Sequence, residues 1–130
     1  MNPDVVEARL RARGLSITGP RRAIVSHLHD NPHHPTAAQV HQEVSRACPG
    51  ISRATVYNTL ALLVEMGELR PLRQVGRDTR FDPRTEPHHH RACPHCGALV
   101  DVSLTEVEVR WLGALVPAEV RLLAPCEGCG

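Results

Sequence analysis

The sequence predicts an α+β fold, with an N-terminal winged helix-turn-helix unit followed by a small C-terminal α/β unit. Three observations predict it. Apolar residues recur with a helical period through most of the first 66 residues. A hairpin-like stretch with a turn at Gly76 follows them. Beyond residue 82 the chain is short, contains prolines and is bounded by cysteines, which indicates a separate small unit.

Four helices are predicted, and each has a boundary signal in the sequence. Thr18, Thr36 and Ser52 are good N-cap residues for the second, third and fourth helices. Gly14 ends the first helix and Gly67 the fourth, since glycine commonly terminates a helix. The predicted ranges are 3–13, 21–30, 37–47 and 53–66.

The remaining elements are short. The hairpin, or wing, comprises strands over 69–74 and 78–81. In the second unit we expect strands over 99–103 and 120–124, with a helix over 104–115 between them. The predicted domains are a winged-helix unit over 1–82, a hinge over 83–87 and a small cysteine-bounded unit over 88–130.

Charge is divided unevenly along the chain. Residues 1–80 hold 11 arginines and 7 acidic residues, whereas residues 81–130 hold 4 arginines and 7 acidic residues. This asymmetry favours polyanion binding by the first part only. No apolar run is long enough to be a signal segment or to span a bilayer, so we expect a cytoplasmic protein.

Two Cys-x-x-Cys motifs are the strongest local signal. Cys93 and Cys96 form the first pair, and Cys126 and Cys129 the second. Two such turns supply four thiolates for one tetrahedral zinc ion, and a closed site of this kind is structural. Gly97 and Gly128 are expected to relax the two turns. A pair of redox dithiols is the alternative, which two motifs in one short unit make less favourable.

A second set of candidate ligands combines histidine with aspartate. His88 and His90 lie on the same side of an extended segment, and His89 faces the other way. Imidazoles with carboxylates suit Fe²⁺, Mn²⁺ or Zn²⁺. A solvated histidine run remains the alternative at this point, and Cys48, outside both motifs, is expected to be a small buried apolar residue. The more distant candidates are His34, Asp82 and Asp101.

The start of the fourth helix carries side chains suited to a DNA major groove. They provide hydrogen-bond donors and one aromatic ring, beside the small Ala54. An amphipathic packing helix is the alternative. The candidate residues are Arg53, Thr55, Tyr57 and Asn58.

In combination these features resemble one known family. The matching pieces are Ile17-Thr18 with Arg21, His34-Pro35-Thr36-Ala37, Ala-Thr-Val-Tyr-Asn-Thr-Leu at 54–60, Arg80-Phe81-Asp82, and His88-x-His90-x-x-Cys93-x-x-Cys96-Gly97 running to Asp101. Along essentially its whole length the chain resembles the ferric uptake regulator (Fur) superfamily. The resemblance implies a homodimeric repressor of double-stranded operator DNA, with a dimerisation domain, a structural Zn²⁺ and a regulatory Fe²⁺ or Mn²⁺.

The resemblance also assigns roles to residues. The implied regulatory ligands are His34, Asp82, His88, His90 and Asp101. Aspartate at both carboxylate positions is similar to the peroxide-responsive (PerR-type) branch, where Fe²⁺ reacts with hydrogen peroxide and a ligand histidine is oxidised; here the oxidation-sensitive residues would be His34 and His88. Iron-responsive or zinc/manganese-responsive repression is the alternative. Because residues 120–124 contain no histidine or carboxylate, we expect two metals per subunit.

The DNA contacts and the rival class of function complete the prediction. Arg53 and Tyr57 are expected to contact bases. A zinc deaminase would use His-x-Glu and Pro-Cys-x-x-Cys. The His41-x-Glu43 motif is too far from Cys126 for that, and an enzyme of this class would leave Cys93 and Cys96 unexplained. We therefore do not expect an enzyme. The expected phosphate contacts are Arg21, Arg22, Arg73 and Arg77.

Overall fold

The first unit is helical and ends in a two-stranded ribbon. The computed structural model describes residues 1–29 and 31–129, and the chain divides into Met1–Thr85 and Glu86–Gly130. The first unit comprises α1 (Pro3–Ala12), α2 (Gly19–Leu28), α3 (Ala37–Ala47), α4 (Arg53–Glu65), β1 (Arg70–Leu72) and β2 (Arg80–Asp82). β1 and β2 pair antiparallel, with Arg70 opposite Asp82. The four predicted helices and the wing are therefore confirmed.

The predicted N-caps are also confirmed, and they explain where the helices begin. Thr18 accepts a hydrogen bond from the Arg21 N–H, and Ser52 accepts one from the Thr55 N–H at 3.0 Å. Thr36 forms a reciprocal capping box with Gln39. The predicted end of the second helix at residue 30 lies outside the described residues.

One apolar core holds the four helices together. α2 packs against α1, α3 and α4, and α3 packs against α4. Helix-spaced side chains such as Leu10, Ile24 and Leu63 are fully buried there. Cys48, the C-cap of α3, packs against this core as predicted but is half-buried rather than buried. Packing on one side leaves the other face of α4 to solvent.

The second unit consists of strands and turns in its described residues. Its strands are β3 (His89–Ala92), β4 (Leu99–Val102), β5 (Arg110–Trp111), β6 (Ala114–Leu115) and β7 (Arg121–Leu123). The order in the larger sheet is β4-β3-β7, with β3–β4 antiparallel and β3–β7 parallel. β5 and β6 form a separate antiparallel hairpin. The strands predicted over 99–103 and 120–124 are confirmed as β4 and β7.

The helix predicted over 104–115 is wrong. Val107, Val109 and Trp111 alternate with charged residues, which is the period of a strand rather than a helix. Leu112 and Gly113 have φ values of 52° and 83°, and two successive left-handed residues make a tight hairpin turn. The turn chemistry and the β-branched residues override the apolar content that suggested a helix.

The turn before α4 gives a prediction about stability. The His41 Nε2–H donates to the Ile51 carbonyl oxygen at 2.9 Å, one residue before the Ser52 cap. His41→Leu leaves that half-buried carbonyl without its donor and is expected to lower the free energy of unfolding by about 1–3 kcal/mol. His41→Gln retains a donor and should lose less.

Urea denaturation measures both variants. His33→Leu, which removes an exposed imidazole, serves as the control and should stay within about 0.5 kcal/mol of the parent. Equal losses for His41→Leu and His33→Leu would show that the His41 hydrogen bond does not stabilise this turn.

Candidate metal sites and nucleic-acid surface

The four predicted cysteine ligands lie together in the second unit. Their sulfur atoms all lie within 4.8 Å of one another, and the Cys96 and Cys126 Sγ atoms are 3.7 Å apart. Zinc–sulfur bonds of about 2.3 Å in a tetrahedron place sulfur atoms about 3.8 Å apart. The four thiols therefore fit one Zn²⁺, and the site is structural because all four positions are filled by protein.

Two tight turns present these thiols. In the first, the Gly97 N–H donates to the Cys93 carbonyl at 2.9 Å, and Gly97 has a left-handed φ of 75°. In the second, the Cys129 N–H donates to the Cys126 carbonyl at 3.0 Å. Gly128 lies outside the left-handed region, so the expectation that both glycines relax the turns holds only for Gly97.

The thiols differ in how easily they ionise. Hydrogen bonds from the backbone at Cys126, then at Cys96, lower the pKa of the Cys93 thiol to about 5. Hydrogen bonding with the Cys126 side chain, then with Cys96, raises the pKa of Cys129 to about 12. Thiols this close to one another cannot all ionise without a cation among them. Cys93 supplies a thiolate readily, and the complete set requires the charge of the metal.

Three of the predicted regulatory ligands also meet in the second unit. The His88 Nε2 lies 3.0 Å from the Asp101 Oδ1, and the His90 Nε2 lies 3.3 Å from the same oxygen. The two Nε2 atoms are 3.0 Å apart. Metal–ligand bonds of about 2.1 Å at right angles place neighbouring ligand atoms about 3.0 Å apart. The donor atoms fit one face of a six-coordinate divalent ion.

Strand register and hydrogen bonds orient these ligands. His90 lies opposite Asp101 in the β3–β4 pair. The His88 Nδ1 lies 2.6 Å from the Glu86 carbonyl oxygen, so Nδ1 carries the proton and Nε2 keeps its lone pair for a metal. The His88 backbone N–H donates to the Glu119 carboxylate at 3.0 Å. Sequence reasoning missed Glu119, because nothing in its spacing relates it to His88, and it missed the Glu86 carbonyl, because a backbone group leaves no mark on the sequence.

His89 faces away from these ligands, as the alternation of a strand predicts. It is buried, and its Nδ1 accepts a hydrogen bond from the Val120 N–H at 3.0 Å. Its Nε2 lies 3.3 Å from the Val107 carbonyl. His89 therefore ties β3 to the chain on either side of the β5–β6 hairpin.

The other two predicted ligands meet in the first unit. The His34 Nε2 lies 3.4 Å from the Asp82 Oδ2, and both side chains are buried. The loop before α3 is held to β2 by the Phe81 N–H, which donates to the Pro35 carbonyl at 2.9 Å, and by Arg80, whose guanidinium donates to the His34 carbonyl at 3.1 Å. These bonds maintain His34 at a left-handed φ of 52°.

Comparison with known proteins identifies the family. The model of the ferric uptake regulator family matches residues 12–115. The chain belongs to the ferric uptake regulator family. Its members are DNA-binding transcriptional regulators rather than enzymes. Like them, this Fur-family chain combines a winged-helix unit with a second, zinc-containing unit.

Curated relatives and solved structures agree with this membership. The chain is 38% identical to the peroxide-responsive repressor PerR of Staphylococcus aureus strain Mu50, over 78% of this chain and 70% of the relative. It is 39% identical to the PerR of Staphylococcus epidermidis, over 78% and 69%. The Campylobacter jejuni peroxide stress regulator matches with a TM-score of 0.66, at 27% identity over 96% of both chains. The Helicobacter pylori regulator Fur matches in fold, with a TM-score of 0.76 at 17% identity over 97% of this chain and 89% of that one.

The candidate DNA surface of this Fur-family chain lies at the start of α4. Val56, Leu60 and Leu63 are buried in the core. Consequently Arg53, Tyr57 and Asn58 are exposed, and Thr55 is half-buried beside the Ser52 cap. No helix in the described ranges is both long and apolar enough to cross a membrane.

The candidate phosphate contacts differ in their surroundings. The Arg21 guanidinium donates to the Ser16 carbonyl at 2.7 Å, and Arg22 forms an ion pair with Glu7 at 2.9 Å. Arg73 and Arg77 are exposed on the wing that joins β1 to β2. Contacts between these four arginines and DNA remain a prediction.

Replacing one zinc ligand tests the four-thiolate site. Cys126→Ser is expected to reduce bound zinc from one ion per chain to less than about a tenth, because structural zinc supplies about 10–16 kcal/mol of binding free energy in small zinc units. Amide hydrogen exchange in β3 and β7 should become fast at the same time.

Cys48→Ser is the matched control for this replacement, since it changes a cysteine outside both motifs. It should retain zinc and slow exchange in the second unit. Full zinc content in Cys126→Ser would show that Cys126 is not a ligand.

Proposed function

We propose that the chain is a metal-dependent transcriptional repressor that binds operator DNA as a homodimer in the cytoplasm and senses hydrogen peroxide. The observation that carries this proposal is the chemistry of the two ligand sets. Each set combines histidine nitrogen with an aspartate, in Asp82 and Asp101, and neither contains a thiolate. Nitrogen and oxygen donors suit Fe²⁺ and Mn²⁺. The two staphylococcal relatives, both peroxide-responsive repressors, support the peroxide branch.

The five ligands hold one regulatory ion together. His34 and Asp82 come from the winged-helix unit, over 1–82, and His88, His90 and Asp101 come from the dimerisation unit, over 88–130. Residues 83–87 act as the hinge between them. With the four-thiolate zinc this makes two metals per subunit. The fit of His88, His90 and Asp101 to a divalent ion, the buried His34–Asp82 pair and the family membership support this assignment.

A shared ion acts as a switch only through differential affinity. If only the arrangement competent for DNA binding brings all five ligands together, the ion binds that arrangement more tightly and raises its population. A change from 1% to 99% competent requires about 10⁴-fold tighter binding to that arrangement. A weak affinity of each ligand set alone for the ion would keep this ratio large.

Peroxide sensing follows from the loss of one ligand. Iron(II), when bound, would supply the reducing power that cleaves the O–O bond. In the net reaction one oxygen atom of the peroxide is inserted at a ring carbon of His34 or His88, and the other oxygen leaves as water. An oxidised His34 or His88 ring would be a poorer ligand, so the five residues would hold the ion less tightly and the chain would lose its affinity for DNA. The His88 Nδ1–H bond to the Glu86 carbonyl leaves the His88 Nε2 available as a metal ligand.

Operator binding in the presence of different metals tests this proposal. Duplex DNA is first selected from a random pool with the Mn²⁺-loaded protein, and binding is then measured with Mn²⁺ or Fe²⁺, before and after peroxide. Peroxide should abolish binding only with Fe²⁺, and peptides holding His34 or His88 should each show one added oxygen by mass spectrometry.

The Mn²⁺-loaded protein treated with the same peroxide is the control. Metal-dependent binding that survives peroxide with both ions, with unmodified peptides, would instead establish the alternative, an iron-responsive or zinc/manganese-responsive repressor without peroxide sensing.

Substitutions in α4 and the wing test the DNA contacts. Tyr57→Ala or Arg53→Ala should cost about 1–3 kcal/mol of operator binding and relax sequence preference, because these residues contact bases. Arg73→Ala or Arg77→Ala should weaken binding to all sequences and reduce the slope of log affinity against log salt by about 1, because phosphate contacts release counterions.

The two kinds of variant serve as controls for each other. Loss of a base contact changes sequence preference, whereas loss of a phosphate contact changes the salt dependence of binding. An unchanged operator affinity for Tyr57→Ala would contradict the assignment of α4 as the recognition helix.

A further inference from the structure

His88 lies outside the strand pairings that orient the other metal ligands of the second unit. The β3–β4 pairing begins at His89, and the β3–β7 pairing begins at His90. Strand register therefore places His90 and Asp101, whereas His88 precedes the first residue of β3. The side chain of His88 is nevertheless fully buried. Contacts outside the strand pairings must hold it in place.

Two hydrogen bonds hold His88, and they differ in how far they reach along the chain. The imidazole Nδ1–H donates to the Glu86 carbonyl oxygen at 2.6 Å, which is a local bond between residues two apart. The His88 backbone N–H donates to the Glu119 carboxylate at 3.0 Å, between residues 31 apart. A buried backbone N–H requires an acceptor, and an ionised carboxylate is a strong one. The bond to Glu119 therefore connects His88 to a distant part of the chain.

The segment that presents Glu119 is restrained on its N-terminal side. The Ala118 N–H donates to the Val116 carbonyl at 3.0 Å, which closes a tight turn around Pro117. The proline ring further limits the backbone at this turn. A restrained segment has little conformational freedom to lose when its carboxylate accepts a hydrogen bond. The turn therefore favours the contact of Glu119 with His88.

The same segment is tied to β3 on its C-terminal side. The Val120 N–H donates to the His89 Nδ1 at 3.0 Å, and the Val120 carbonyl accepts the His90 N–H at 3.2 Å. With the bond from the His88 N–H to Glu119, residues 119–120 contact three consecutive histidines. The Glu119 side chain thus extends the attachment of β3 by one residue beyond the point where strand pairing begins.

We propose that Glu119 is a positioning residue of the regulatory metal site. By fixing the backbone of His88, its carboxylate arranges the Nε2 atoms of His88 and His90 beside Asp101 before the ion binds. This inference rests on the proposed function, in which these three residues are metal ligands. Preorganised ligands bind more tightly because they lose less freedom on binding. Replacing a residue that orients a metal ligand typically weakens metal binding by about 10–100-fold.

The affinity of the zinc-loaded full chain for Mn²⁺ tests this role. Glu119→Ala removes the acceptor of the His88 N–H and should weaken Mn²⁺ binding by about 10-fold or more. Glu119→Gln keeps an acceptor oxygen without the charge and should recover most of the affinity. Glu108→Ala is the matched control, because it removes an exposed carboxylate of the same unit that pairs with Arg110. Its Mn²⁺ affinity should equal that of the parent.

Amide hydrogen exchange of the zinc-loaded chain without Mn²⁺ provides a readout that does not depend on the regulatory ion. The His88 N–H should exchange slowly in the parent and in Glu119→Gln, and fast in Glu119→Ala. The His90 N–H, which is bonded to Val120, should remain slow in all three proteins. Zinc content of one ion per chain verifies that each variant retains the fold of the second unit.

The contrary results have different meanings, and Asp101→Ala separates them. Parent affinity in Glu119→Ala, with Mn²⁺ binding weakened in Asp101→Ala, overturns the positioning role while the regulatory site stands. Equal losses in Glu119→Ala and Glu119→Gln would assign the effect to the carboxylate charge and overturn it as well. Fast exchange of both the His88 and the His90 N–H in Glu119→Ala would do the same, since Glu119 would then hold the strand pair as a whole. Unchanged Mn²⁺ affinity in Asp101→Ala overturns the regulatory site of the proposed function together with this inference.

Discussion

The connection between the end of β3 and the chain beyond β7 is the constraint on which the second unit depends. Cys93 and Cys96 follow β3, and Cys126 and Cys129 follow β7, so one zinc ion joins the chain segments that extend from a parallel strand pair. The unit buries too few apolar side chains to hold these strands by packing alone. The same strand β3 carries His89 and His90 and follows His88 directly. The four-thiolate site thus adjoins the strand that presents the candidate regulatory ligands.

In the first unit, the fold brings His34, in the loop before α3, to Asp82 at the end of β2. A helix core that needs no metal positions α3 and the ribbon, and backbone bonds from β2 then hold the loop before α3. The result is a buried His34–Asp82 pair. Because α4 packs in the same core, its candidate DNA-reading residues and the His34–Asp82 pair belong to the same unit.

The features that the sequence predicted best are those formed by residues close together along the chain. Helix caps such as Thr36 and Ser52, and the two cysteine turns, are local patterns with one physical solution. The 104–115 segment failed because its apolar content was weighed above its two-residue alternation and the Leu112-Gly113 turn. The hydrogen bond from the His88 N–H to Glu119 arises only from the chain's tertiary path. The pairing of His34 with Asp82 came from the family resemblance, since spacing alone left a solvated histidine run open.

The proposal that one ion is held by ligands of both units is tested most directly by the affinity of the zinc-loaded chain for Mn²⁺ with and without Asp82→Asn. Asparagine keeps the oxygen that accepts the Arg84 N–H at 2.9 Å but removes the carboxylate charge. A shared site predicts at least about tenfold weaker Mn²⁺ binding, while Asp78→Asn on the wing should leave it unchanged. Equal Mn²⁺ affinity in the parent and in Asp82→Asn would contradict the shared site, and would leave the ion with His88, His90 and Asp101 alone.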